Sequence, residues 1–130
     1  MKVLYAIPKD GIPPLLSFMD MLEPKLRQKM FRQFLMLSNS PLLREPYVKH
    51  FSIEKYSRLY ELRARNKIMV RVIFTILDNN DILLLTPFVK NHKRNTMQAL
   101  ESSLKLLSQI KSGKCSVRKL IINEGTEGMK

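Results

Sequence analysis

The stretch Phe88-Val89-Lys90-Asn91-His92-Lys93-Arg94-Asn95-Thr96 runs an apolar strand end into a cluster of cations and one imidazole. Such groups can bind an anion and move a proton. Guanidinium and ammonium groups neutralise charge on a phosphate, the planar guanidinium with paired donors. Histidine exchanges protons near neutral pH. Two more arginines fit the same chemistry. Arg71 is the one charge within Ile68–Leu77, and an unpaired guanidinium is costly to bury. It must therefore reach water, a carboxylate such as Glu61, or a bound anion. Arg63 ends the neighbouring Leu59-Tyr60-Glu61-Leu62-Arg63 and is followed by Arg65 and Lys67, which also suit a solvated hairpin turn.

Residues 58–94 hold eight basic side chains and three acidic ones, within a chain of net charge +12. A field of that sign attracts polyanions, and nucleic acid is the commonest. The 130 residues are 45% hydrophobic, enough for a packed core, and read as one domain over 1–110 with an extension over 111–130. That extension is read as a short strand near Val117–Ile122 or a tail. The single cysteine, Cys115, allows no internal disulfide, and no signal peptide is evident, so a reducing cytoplasm is expected. Apolar runs are too short to span a bilayer. Two histidines and one cysteine without ligand spacing do not make a metal site, so neither metal nor cofactor is expected.

Positioning these groups requires a scaffold. "MKVLYAIP" reads as a first strand ended by Pro8. Pro13 and Pro14 suit a first helical turn, with Leu15, Leu16, Met19 and Leu22 on its apolar face. A second helix is expected from about Pro24 to Ser38, because Leu26, Met30, Phe34 and Leu37 recur at helical spacing. "SNSPLLREP" breaks it. "YVKHF", "LYELR", "KIMVRVIFTIL" and "DILLLTPFVK" then read as four strands. "DNND" marks a hairpin pairing residues 68–77 with 82–89. A last helix is expected over Thr96–Ile110, capped by Asn95 or Thr96. The order predicts an α+β domain: a mostly antiparallel sheet with helices on one face and a concave surface on the other. Alternation places Arg71 with Met69, Ile73 and Thr75 on one face, and the hairpin brings it to the same sheet end as Lys90.

"EPYVKH", "LYELR", "VRVIFTI", "LLLTPFVK" and the basic segment entering a helix together resemble the RelE/HigB-like toxins of bacterial type II toxin–antitoxin modules, more narrowly the phage-associated HigB-like branch. The likeness covers roughly residues 45–107. It implies a RelE/ParE-like fold with two N-terminal helices packed on one face of the sheet and a C-terminal helix. It also implies an activity: ribosome-dependent, metal-independent cleavage of mRNA by attack of the 2′-hydroxyl on the adjacent phosphate. The implied catalytic set is Arg63, Arg71 and Lys90, with His92 as the candidate proton carrier. Lys49, His50, Arg65, Lys67, Lys93 and Arg94 are the accompanying phosphate-binding candidates. Relatives typically read K-K-T-Q-K-T-P after the last strand. Here Asn91 replaces the second lysine, His92 the threonine and Thr96 the proline. The implied partners are the mRNA, the ribosome and a cognate helix-turn-helix antitoxin. A non-nuclease alternative on the same fold is a ParE-like gyrase inhibitor or a basic nucleic-acid-binding module.

Overall fold

The computed structural model describes residues 2–39 and 47–121. Most of the expected helix break (residues 40–46) and the end of the expected Val117–Ile122 strand lie outside them. Along the chain come β1 (Val3–Pro8), α1 (Pro14–Asp20), α2 (Pro24–Asn39), β2 (Val48–His50), a 3-10 turn (Glu54–Tyr56), β3 (Leu59–Arg65), β4 (Met69–Ile76), β5 (Ile82–Val89), α3 (Lys93–Lys111) and β6 (Cys115–Lys119). The result is α+β: three helices on one six-stranded sheet of order β2-β3-β4-β5-β1-β6.

The β4–β5 hairpin forms where "DNND" places it. The Leu77 and Asp81 backbones are joined by a 2.8 Å hydrogen bond, and Asn80 takes the left-handed conformation at φ 69°. The register runs from Ile76↔Ile82 through Arg71↔Phe88 to Val70↔Val89, with a bulge at Ile73/Phe74. A proline-led start opens α1, and Arg27 of α2 closes it. The Arg27 Nε donates to the Met19 carbonyl at 3.0 Å and its guanidinium also to that of Leu22 at 3.0 Å. The Met19 carbonyl belongs to the last turn of α1 and that of Leu22 to the link before α2, so one arginine ties the corner between the two helices.

The sheet is mostly antiparallel, as expected, but one pairing was not foreseen and one expectation is corrected. β1 pairs parallel with β5 from Val3↔Ile82 to Tyr5↔Leu84, which makes the sheet mixed, and β6 adds antiparallel to β1. Strands so far apart in sequence share no turn, so local pattern carries no information on their relative direction. Helices also cover both faces rather than one. Leu26, Met30 and Phe34 of α2 and Leu15 and Met19 of α1 pack with Val70, Val72 and Phe74. On the opposite face Leu59, Ile73, Leu83 and Leu85 pack with Ala99 and Leu100 of α3. Both sides of these strands carry apolar residues, and each fully buried side chain contributes roughly 1.5–3 kcal/mol only if covered. A short Lys90–His92 link delivers α3 to do so. This helix starts earlier than Thr96. Asn95 lies in its first turn, where its Oδ1 accepts from the Asn91 and His92 N–H groups at 2.7 and 3.0 Å. Alternation in β4 is as expected, and Arg71 lies at the sheet end beyond the α3 cover.

Candidate anion-binding cleft

Arg63 and Arg71 occupy directly opposed positions of β3 and β4. Two cations so placed repel unless a counter-charge joins them. Glu61, two residues before Arg63 and therefore on the same face, supplies it. Its Oε1 lies 3.1 Å from Arg63 Nε and 3.5 Å from Arg71 Nε. The carboxylate is 1% exposed, behind the arginines. The first contact is a hydrogen bond; the second is an ion pair without hydrogen-bond geometry, which leaves Arg71 Nε and Glu61 Oε2 without hydrogen-bond partners among the described residues. One negative charge thus serves two guanidinium groups, and the cluster stays cationic. Burial pushes Arg71 below the usual guanidinium value; Glu61 opposes this, while Arg63 and Arg65 reinforce it.

These groups border a cleft of about 290 Å³ lined by Lys29, Gln33, Tyr47, Arg63, Ala64, Arg65, Met69 and Arg71. Lys29 and Gln33 come from α2, which meets β3 where β2 stops pairing with it. The last bond there is Arg63 N–H to the Tyr47 carbonyl at 2.8 Å. Past that point the Arg65 carbonyl accepts from Lys29 Nζ at 2.6 Å. Lys90 joins the same sheet end, for its N–H donates to the Met69 carbonyl at 2.8 Å. His92, Lys93 and Arg94 are exposed where α3 begins. Cations in a first helical turn oppose the helix dipole, a cost that a bound anion would offset.

The other sequence candidates separate. Lys49 lies opposite Glu61 in register, half-buried, with its Nζ 5.6 Å from the centre of the Phe51 ring. His50 is on the opposite sheet face, where its ring lies 4.8 Å from Tyr60 and Tyr60 stacks on Phe74. Its Nε2 donates to the Ser57 carbonyl at 2.6 Å. The structure therefore does not bring His50 to the Arg63–Arg71 pair. Lys67 is exposed on the β3–β4 turn. Lys29, Gln33 and Tyr47 were missed by sequence reasoning. One signal was available: α2 carries Lys25, Arg27, Lys29 and Arg32 with no acidic residue at all. Among the described residues no group of three or more His, Cys, Asp or Glu is placed to hold a metal ion, and no helix is long and apolar enough to cross a membrane.

An acid-backed pair of arginines at the open end of a helix-covered mixed sheet defines a small basic α+β protein with a cationic cleft. The family model for Gp49-like phage-derived proteins (DUF891) matches residues 17–127, and the chain belongs to that family. It is a RelE/HigB-like toxin family of toxin–antitoxin modules, which implies a cognate antitoxin. No curated protein matches the chain.

Proposed function

We propose that this chain is a HigB-like toxin that cleaves mRNA on the ribosome without a metal, in the cytoplasm, and is neutralised by a helix-turn-helix antitoxin. The observation that carries this reading is the Arg63–Arg71 pair held on Glu61 beside Lys90. In the reaction, the 2′-oxygen of one nucleotide attacks the adjacent phosphorus and the bond to the 5′-oxygen breaks. A 2′,3′-cyclic phosphate and a 5′-hydroxyl result. Arg63, Arg71 and Lys90 bind the phosphate and neutralise the charge that grows on its oxygens, which fixed donors achieve without reorganisation. His92, exposed beside Lys90, exchanges protons with the 2′-hydroxyl or the leaving oxygen. Lys49, Arg65, Lys67, Lys93 and Arg94 extend the cationic surface for flanking phosphates. His50 acts at most at a distance from the scissile group.

Expression of the chain alone in bacteria tests this directly. Growth should stop, with transcripts cut inside reading frames and the new ends carrying a 2′,3′-cyclic phosphate and a 5′-hydroxyl. The double variant Arg71→Ala with Lys90→Ala should be harmless; persistent toxicity would refute the site. Intact transcripts accompanied by DNA breaks would instead assign the chain to gyrase inhibition.

A further inference from the structure

The cleft continues past the two arginines to Arg65, read above only as part of a general cationic surface, and to Lys29 and Tyr47, which the proposed cleavage does not use. We infer that Lys29, Arg65 and Tyr47 form a second subsite, which takes the phosphate and base of the nucleotide next to the scissile one in a single-stranded RNA. This inference rests on the reading of the cleft as a phosphate-transfer site.

Three observations carry it. First, Arg63 and Arg65 share one face of β3, and residues two apart on a strand are separated by about 7 Å. That separation is close to the phosphate repeat of an extended sugar–phosphate backbone, so two successive phosphates fit the two arginines. Second, Lys29 crosses from α2 to the same place. One of its three N–H donors is held by the Arg65 carbonyl at 2.6 Å, which fixes the ammonium at the cleft while two donors remain for an anion. Third, Tyr47 is 52% exposed at the cleft rim, and its carbonyl is anchored by the Arg63 N–H. An exposed aromatic ring beside cations is the usual platform on which an unpaired base stacks. Gln33, largely buried in the same wall, supplies an amide that can both donate and accept toward a base edge. Aromatic surface and regular cation spacing favour a nucleotide strand over an acidic protein segment, which would need neither.

The test uses the full chain and synthetic RNA with a 2′-deoxy sugar at the scissile position, so that binding is read without cleavage. A trinucleotide that reaches the second subsite should bind more tightly than the dinucleotide spanning only the scissile phosphate. Tyr47→Ala should erase about tenfold of that gain. Lys29→Gln should lower the slope of log affinity against log salt by about 0.7, the value of one phosphate contact on a single strand. Thermal unfolding of both variants checks that they fold, and Tyr47→Phe, which keeps the ring, should retain the gain. If both variants bind the two oligonucleotides as the parent does while Arg71→Ala weakens both, the subsite is wrong and the primary cleft stands. If Arg71→Ala also changes nothing, the reading of the whole cleft fails. Loss of binding to an acidic antitoxin segment with unchanged RNA binding would move Lys29 and Tyr47 to a protein interface and overturn the inference.

Discussion

Arg63 and Arg71 face each other across β3 and β4 and share a single carboxylate oxygen of Glu61. The pair is held close by a counter-charge too small to neutralise it. On the proposed reading, a substrate phosphate completes a balance that the folded protein leaves open.

Removing one arginine should affect chemistry more than stability. In the proposed reaction Arg71→Ala takes away a donor for developing phosphate charge, and losses of that kind typically run to about a hundredfold or more in rate. Single-turnover cleavage should fall by that order while the midpoint of urea unfolding moves little. Arg63 still pairs with Glu61 in the variant, so no buried charge is orphaned.

Glu61→Ala should behave in the reverse manner. It leaves two opposed guanidinium groups without their buried counter-ion, and breaking a buried pair in this way costs roughly 3–5 kcal/mol. Arg63 is about a quarter exposed, so the lower end of that range is expected. Urea unfolding should show it, and Glu61→Ala combined with Arg71→Ala should recover part of the loss. A double variant no more stable than Glu61→Ala would remove repulsion from the account.

A latch farther along the α3-covered face gives a pH signature. Tyr56 donates to Glu101 Oε2 of α3, and Lys55 Nζ lies 2.7 Å from the same oxygen, tying the 3-10 turn to the helix. The hydrogen bonds from Lys55 and Tyr56 hold the Glu101 carboxyl below its ordinary value. The bond to Glu101 raises Lys55 and Tyr56 above theirs. A depressed carboxyl contributes stability above its unfolded pKa and loses it as pH falls through the folded one. Raised lysine and tyrosine contribute below their unfolded values and lose it as pH rises through the folded ones. The stability difference between the parent and Glu101→Gln should therefore be flat from about pH 5 to about pH 9 and shrink beyond either limit. The lysine pair is exposed, so added salt should reduce the difference as well.

Asn80 offers a local test of the hairpin. Its left-handed backbone suits asparagine or glycine, while a β-branched residue there should cost about 1–2 kcal/mol. Asn80→Val should lower the unfolding midpoint and Asn80→Gly should leave it nearly unchanged. Equal effects would mean that the side chain rather than the backbone angle matters.

The hairpin joining β4 to β5 was legible because its turn and its alternation are local. So was the meeting of Arg71 with the Lys90 segment, which follows from antiparallel register once the turn is fixed. The helical stripe of α2 was equally plain from Leu26, Met30, Phe34 and Leu37. Non-local facts were not. The parallel seat of β1 beside β5, the covering of the second face by α3, and the placement of His50 behind the sheet depend on which buried surfaces find one another. Glu61 could be named from sequence as one possible partner for Arg71. That it serves both arginines at once needed the register of β3 on β4. Lys29 and Tyr47 reach the cleft only because β2 ends where α2 crosses the edge of β3. Periodicity and turn chemistry act within a few residues, so the sequence by itself determined the elements and the sign of the charge they carry. Burial acts between elements, so only the tertiary structure decided which of those charges share one cleft.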